Sequence, residues 1–251
     1  MSGSYFYAFI WMWIGLAIIV FPFALRIIAP YGRHIRTGWG PMMDNKLGWI
    51  IYESPALILV ACYFLMGTAT KTSPAWIMFS LYMLHYINRA IIYPLRIRTQ
   101  GKKIPLGIVI SAFGFNLVNG SIIGYFLGFV QNYAEDWMND PRFIIGILLF
   151  FTGMSINWQS DTILINLRKP GETDYKIPNR GLFKFVSCPN HMGEIIEWTG
   201  FAIMLWALPG LSFVIWTFAN LVPRALNHHL WYRDKFEDYP VERRAVFPYI
   251  L

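Results

Sequence analysis

The chain has 251 residues, a formal net charge of +7, and a composition that is 56% hydrophobic, 18% aromatic and only 14% charged. Soluble domains carry roughly 25% charged residues, so an ordinary soluble domain is excluded, and the mean hydropathy of +0.42 agrees. Runs of about 20 apolar residues, enough to cross a ~30 Å hydrocarbon core, recur throughout. The expectation is an all-α integral membrane protein, one seven-helix domain over residues 1–251 with no room for a soluble one.

In chain order the expected spans are Tyr5–Ala29, Leu47–Gly67, Ala75–Leu95, Ile104–Val130, Pro141–Leu167, Asn190–Leu208 and Leu211–His229. The first carries no Lys or Arg before Arg26 and is too long for the apolar core of a signal peptide, so it reads as a retained span. Pro30, Pro74, Pro105, Pro141 and the Pro209-Gly210 pair mark the breaks, as expected where helices start or stop.

Basic residues gather on alternate connections: Arg33, Arg36 and Lys46; then Arg96, Arg98, Lys102 and Lys103; then Arg168, Lys169, Lys176, Arg180 and Lys184; and finally the tail. The other connections hold Lys71 alone, then Glu135, Asp136 and Asp140, then Pro209-Gly210. The positive-inside rule therefore puts the N-terminus outside and the C-terminus in the cytoplasm. The charge reads as orientation plus an anionic ligand, and no basic-aromatic groove argues for nucleic acid. Cys62 and Cys188 suggest no disulfide framework, and metal-ligand spacings such as CxxC or HExxH are absent from the sequence. There is no Rossmann GxGxxG, so a dinucleotide would be held another way. Gly120, Gly124 and Gly128 recur every four residues, the small-residue spacing that lets membrane helices pack closely.

Polar residues inside the spans fall on helical faces. Asn190, Glu194 and Glu197 lie at i, i+4 and i+7; Tyr86, Arg89 and Tyr93 share a face. So do Asn157, Asp161 and Arg168, and so do Asn220, Arg224, His228 and Tyr232. Ionisable groups at membrane depth are costly and mark functional sites by default. Glu53 lies about one turn inside the second span, with Trp49 one turn earlier as an interface anchor. Burial would hold that carboxyl protonated, or a cation would pair with it. A phenol with Arg nearby, facing a buried Glu, can polarise a carbonyl; a purely structural Glu–Arg pair is the plainer reading. Asn157 and Asp161 run into the basic Arg168-Lys169 loop, a combination suited to ribose hydroxyls and phosphates.

Several segments together resemble the steroid 5α-reductase family. They are Tyr31-Gly32-Arg33-His34, Glu53-Ser54-Pro55, His85-Tyr86-x-x-Arg89 with Tyr93, and Gly153-Met154-Ser155-Ile156-Asn157-x-x-Ser160-Asp161. Leu167-Arg168-Lys169-Pro170-Gly171-Glu172, Tyr175-Lys176-Ile177-Pro178, Asn190-x-x-Gly193-Glu194-Ile195-Ile196-Glu197-Trp198 and Phe236-Glu237-Asp238-Tyr239-Pro240 continue it. The combination is specific where any one motif is not. The sequence departs from the animal pattern at Lys176, at Cys188-Pro189 and at Asn227.

The resemblance implies NADPH-dependent reduction of the Δ4 double bond of a 3-oxo steroid, with residues 1–130 forming the steroid pocket and 141–251 the nicotinamide site. It implies Glu53 and Tyr86 as catalytic groups, polarising the 3-oxo oxygen while hydride reaches C5. Trp49, Glu53 and Tyr86 would contact the substrate. Tyr31, Arg33, Arg89, Tyr93, Arg98, Asn157, Asp161, Arg168, Tyr175, Asn190, Glu194, Glu197, Arg224, His228 and Tyr232 would contact the cofactor. The steroid would enter from the bilayer, with lipid as the surrounding partner, no metal and no nucleic acid, and a monomer is expected. The membrane would be endoplasmic reticulum in a eukaryote or the inner membrane in a bacterium. The rivals are a trans-2-enoyl-CoA reductase of the same superfamily, an isoprenyl-cysteine methyltransferase-like enzyme and a small transporter. Paired Glu53 and Tyr86 disfavour the methyltransferase, and the lack of an inverted repeat disfavours the transporter.

Overall fold

The computed structural model describes residues 3–30, 32–36, 38–98, 101–169, 171–172 and 174–251. Eight α-helices dominate the described residues: α1 Gly3–Arg26, α2 Asn45–Met66, α3 Ser73–Ile87, α4 Tyr93–Arg96, α5 Leu106–Tyr125, α6 Pro141–Asn166, α7 Pro189–Leu205 and α8 Leu208–Lys235. A π-helical turn over Asn88–Ile92 joins α3 to α4, and another over Phe126–Val130 ends α5. Each expected span thus falls on helix within a few residues, although α8 runs on past His229 to Lys235.

Among the described residues, four helical stretches are long and apolar enough to cross a membrane: Gly3–Arg26, Asn45–Met66, Leu106–Val130 and Pro141–Asn166. The chain is a multi-pass membrane protein. Length and hydropathy do not reach the count of seven, for a physical reason. The π turn cuts the third segment to a 15-residue α3, α7 has only 17 residues, and α8 carries Arg224, His228, His229, Arg233 and Lys235 along its second half. The all-α expectation also needs amending. Strand β1, Met42–Asp44, pairs antiparallel with β2, Lys103–Pro105, in the register Met43↔Ile104. Asp44 then caps α2, its Oδ1 accepting from the Leu47 amide at 2.9 Å.

The chain divides into two compact units, one of residues 1–10 and 29–144, the other of 11–28 and 145–251. In the first, α2 and α5 meet along the glycine repeat. A Cβ built on Gly124 would lie 2.9 Å from the Val60 Cα, one on Gly120 3.0 Å from the Ala56 Cα, and one on Gly128 against the Tyr63 carbonyl. The helices therefore touch backbone to backbone, the packing expected from the spacing. Pro55 lacks the N–H that would bind the Ile51 carbonyl, and the Ser54 hydroxyl donates to that oxygen at 3.0 Å. Beyond α2, Lys71 donates to the Gly67 and Ala69 carbonyls at 3.2 and 2.7 Å, and burial lowers its pKa.

In the second unit α6 and α7 cross through glycines seven residues apart on each helix. A Cβ on Gly193 would lie 2.6 Å from the Gly153 carbonyl, and one on Gly200 would lie 2.6 Å from that of Gly146. Trp198 packs beside this crossing, its ring 4.4 Å from Phe213 of α8. Trp206, at φ +43°, makes the left-handed turn between α7 and α8. The chain after α8 folds back on the segment before α7. Val186 bridges Arg244, and the Ser187 and Cys188 amides donate to the Arg244 and Ala245 carbonyls at 2.8 and 3.0 Å.

Candidate active site

Two polar clusters form, one in each unit. In the first, Glu53 of α2 is buried, 8% exposed. Its Oε2 accepts from Asn116 Nδ2 of α5 at 3.1 Å, and its Oε1 lies 3.5 Å from Arg89 Nε. The same Asn116 nitrogen donates to the Tyr52 carbonyl at 2.7 Å. Arg89 projects from the π turn, a local widening that often accompanies functional sites. Its guanidinium lies over the rings of Trp49 and Tyr93, at 4.7 and 5.2 Å, while Trp49 Nε1 donates to the Arg89 carbonyl at 3.0 Å. Cation–π contacts of this kind strengthen when desolvated. Tyr86 is buried, with its ring 4.7 Å from Tyr82 and 5.0 Å from His85.

The structure thus gathers Trp49, Glu53, Arg89 and Tyr93, and Tyr86 packs on Tyr82, a phenol close enough to feel the Glu53 charge. Glu53 is thus both buried and paired with a cation, with the Asn116 amide on its other oxygen. Arg33, half-buried in the 3-10 turn Gly32–His34, and Arg98, exposed, lie on connecting segments rather than on the helices that bear this cluster. Beside Arg33, His34 has its pKa lowered by burial and by the Arg33 charge. Tyr31 lies outside the described residues, as does Pro170.

In the second unit Asn157 and Asp161 of α6 are both 3% exposed. Asn157 Nδ2 donates to the Asn190 carbonyl at 3.0 Å, and Asn190 Nδ2 donates to Asp161 Oδ1 at 3.3 Å. The glycine crossing fixes this register, because Gly193 lies on the Asn157 backbone and Gly153 on that of Glu197. Glu197 is fully buried and Glu194 half-buried. On α8, Arg224 and His228 are half-buried; the His228 ring lies 5.8 Å from His191, and Tyr232 stacks on Tyr239 at 5.3 Å. The Arg168 guanidinium sits over the Tyr175 ring at 5.3 Å, and Tyr175 meets Trp231 edge-on at 4.9 Å. In the loop between, Glu172 accepts from Lys176 and from the Lys169 amide, which lowers its pKa.

Sequence reasoning does not single out Asn116, Tyr82, His191, Ser187 or Tyr239 as members of either cluster. Asn116 carries the signal that singles out the others, a polar residue inside an apolar run. Ser187 gives none, since its partners come from distant segments: Oγ lies 2.6 Å from both His229 Nδ1 and Tyr239 OH and donates to the Arg244 carbonyl at 3.1 Å. A hydroxyl has one proton, so Ser187 donates along only one of these three contacts and accepts along another.

The chemistry on offer is therefore of two kinds. The first cluster sets a phenol beside a carboxylate, a guanidinium and aromatic faces, all with little water. The second sets carboxylates and amides near a guanidinium held against an aromatic ring, a donor set suited to hydroxyl-bearing and phosphorylated ligands.

The chain is 43% identical over 230 residues to the steroid 5-alpha-reductase DET2 of Gossypium hirsutum, covering 88% of each chain. It is 39% identical over 240 residues to the 3-oxo-5-alpha-steroid 4-dehydrogenase 1 of Bos taurus, covering 94% of this chain and 93% of that one. It is 40% identical over 223 residues to the enzyme of the same name from Homo sapiens, covering 88% and 86%. The model of the family described as 3-oxo-5-alpha-steroid 4-dehydrogenase matches residues 102–251. With relatives this similar along nearly its whole length, the chain belongs to the 3-oxo-5-alpha-steroid 4-dehydrogenase family, oxidoreductases acting on a CH–CH bond.

Proposed function

We propose that the chain reduces the Δ4 double bond of 3-oxo steroids with NADPH, and that the first cluster carries the chemistry. The observation behind this is the buried set of Glu53, Asn116 and Arg89, with Tyr86 packed on the Tyr82 phenol that feels the Glu53 charge, in a chain whose relatives are named for that substrate class. A conjugated enone accepts hydride at its β-carbon only as negative charge develops on the ketone oxygen, and a preorganised donor aimed there lowers the barrier. Tyr86 is that donor. Glu53 acts with it, because a carboxylate nearby disfavours phenolate and keeps the phenol able to donate. C5 gains the hydride, C4 gains a proton from solvent, and the product is the saturated 3-ketone. Trp49 lines the substrate side.

The second cluster fits a nicotinamide dinucleotide by the chemistry of its donors. Asp161 and Glu197 supply acceptors for hydroxyl and amide protons, Asn157 and Asn190 supply both donors and acceptors, and Arg168 supplies a guanidinium for phosphate. When bound, NADPH supplies the hydride. In the same unit Tyr175 and Tyr232 meet through Trp231 and His228 lies by His191; Glu194 and Arg224 here, and Arg33, Arg89, Tyr93 and Arg98 in the first unit, are cofactor contacts by the resemblance alone. Basic residues in excess of a pyrophosphate's needs favour the extra phosphate of NADPH over NADH, an advantage that salt screens.

In this reading all seven helical segments span the bilayer, with the N-terminus outside and the C-terminus cytoplasmic. The membrane is endoplasmic reticulum or bacterial inner membrane, and the protein works as a monomer whose lipophilic steroid arrives through lipid, without metal or nucleic acid. The test is NADPH oxidation by purified protein with testosterone or progesterone, with an enoyl-CoA as a separate arm and NADH as the comparison. Steroid-dependent oxidation is expected. Oxidation with the enoyl-CoA alone would reassign the substrate to thioesters, and oxidation with neither would remove the reductase reading.

A further inference from the structure

We infer that Asn116 is a positioning residue that holds Glu53 as an ionised carboxylate, leaving Tyr86 as the proton-bearing group that addresses the substrate oxygen. The inference deepens the proposed reduction and rests on it for its kinetic readout. Donors and acceptors decide the point. Both protons of the Asn116 amide are committed, one to Glu53 Oε2 at 3.1 Å and one to the Tyr52 carbonyl at 2.7 Å. An amide nitrogen has no acceptor capacity, so the Glu53 oxygen facing it is an acceptor. The other oxygen faces Arg89 at 3.5 Å, and Arg89 is held in turn by Trp49 and Tyr93.

Asn116 is itself 4% exposed and well placed for the task. It lies one turn before Gly120, whose close contact with Pro55 and Ala56 locks α5 against the turn of α2 that bears Glu53. The Tyr52 bond pins the amide plane to the backbone beside Glu53, so the pair cannot rotate independently. Among the described residues, Arg89 in the π turn lies 3.5 Å from this carboxylate and the Tyr82 phenol of α3 feels its charge, while Tyr86 and His85 pack behind Tyr82 and the rings of Tyr52 and Tyr93 lie against Trp49 one turn away. Helix α5 contributes the Asn116 amide.

Two variants test it. Asn116→Asp keeps the shape and sets a second carboxyl against Glu53, so that the two share one proton. While protonated, the introduced carboxyl reproduces the amide's donation, and turnover should be near normal at about pH 5 and fall steeply by about pH 9, a titration the unmodified protein lacks. Asn116→Leu removes the donor, and kcat should fall on the order of 10- to 100-fold at every pH, with the cofactor Kd unchanged. Infrared spectroscopy reads the same point without turnover: the unmodified protein should show no protonated-carboxyl band that disappears in Glu53→Gln, and Asn116→Leu should acquire one.

A merely structural Asn116 predicts equal, pH-independent losses in both variants, and that result overturns the inference. So does a Glu53-dependent acid band in the unmodified protein. Absence of steroid reduction by the unmodified protein removes the functional reading instead, and the infrared result still decides the state of Glu53.

Discussion

Two helix pairs in this chain reach backbone contact through glycine, and they use it differently. Between α2 and α5 the small residues recur every four positions, so contact is continuous over more than two turns, and the polar group it registers, Asn116 on Glu53, is fixed as part of a charge-paired cluster. Between α6 and α7 they recur every seven on both helices, and the backbone contact runs from Asn157 and Gly193 through Gly153 and Glu197 to Phe150 and Gly200 and on to Gly146 and Met204. There the registered groups are Asn157 and Glu197, and the polar chain runs through amides to Asp161. In the first pair the glycines of one segment register a single amide on a single carboxylate; in the second both helices supply the glycines, and several polar groups are registered at once.

The harshest way to break this contrast is at the second crossing. Gly153→Val would drive a side chain into the Glu197 and Gly193 backbones, which cannot yield as a flexible side chain can. Overpacking of this kind costs about 3 kcal/mol or more, so loss of monodisperse protein in detergent is expected, and recovery in normal yield would contradict the backbone contact. Next in size is the charge cluster. Glu53→Gln and Tyr86→Phe should each lower kcat about 10²- to 10³-fold while NADPH Kd, read by fluorescence, stays put. A change in Kd with unchanged kcat would exchange the roles of the two regions.

A smaller effect belongs to the second cluster. Asp161→Ala or Arg168→Ala should raise the NADPH Kd about 10- to 100-fold, the worth of a charge-assisted hydrogen bond, with steroid affinity unmoved. If cofactor affinity is also unmoved, the donor set serves packing.

The smallest effect lies outside both regions. His34 has its pKa lowered by burial and Arg33, so below the ordinary histidine value of about 6.5 the unfolded chain binds more protons than the folded one. Stability should therefore rise with pH up to that value and then level. His34→Gln should flatten the acid limb of a melting-temperature profile, and an unaltered limb would assign it to other groups.

Much of this is legible in the sequence. The helices follow from apolar runs and proline breaks, and the α2–α5 contact from the four-residue glycine spacing. The α6–α7 crossing is not legible, because glycines seven apart on two distant segments make no local pattern. The pairing of β1 with β2 escapes notice because three-residue strands show no usable alternation. Arg89 over Trp49 is half legible. The face Tyr86, Arg89 and Tyr93 is visible in the sequence, but the π turn that turns Arg89 towards Trp49 has no signature there. Glu53 stands out while its surroundings do not: burial alone argues for an acid, and only the position of Asn116 supplies the second donor.

The stitching of residues 185–188 to 244–245 bears on biosynthesis. A ribosome must deliver nearly sixty further residues after Ser187 before the Arg244 carbonyl that receives its amide exists, since the two partners are separated by 57 positions. Helices α7 and α8 therefore reach the membrane with this edge open, and the unit closes only after the tail has left the exit tunnel. Stop codons introduced between positions 240 and 244 should then yield chains that insert but are cleared by quality control, a phenotype of abundance rather than of catalysis.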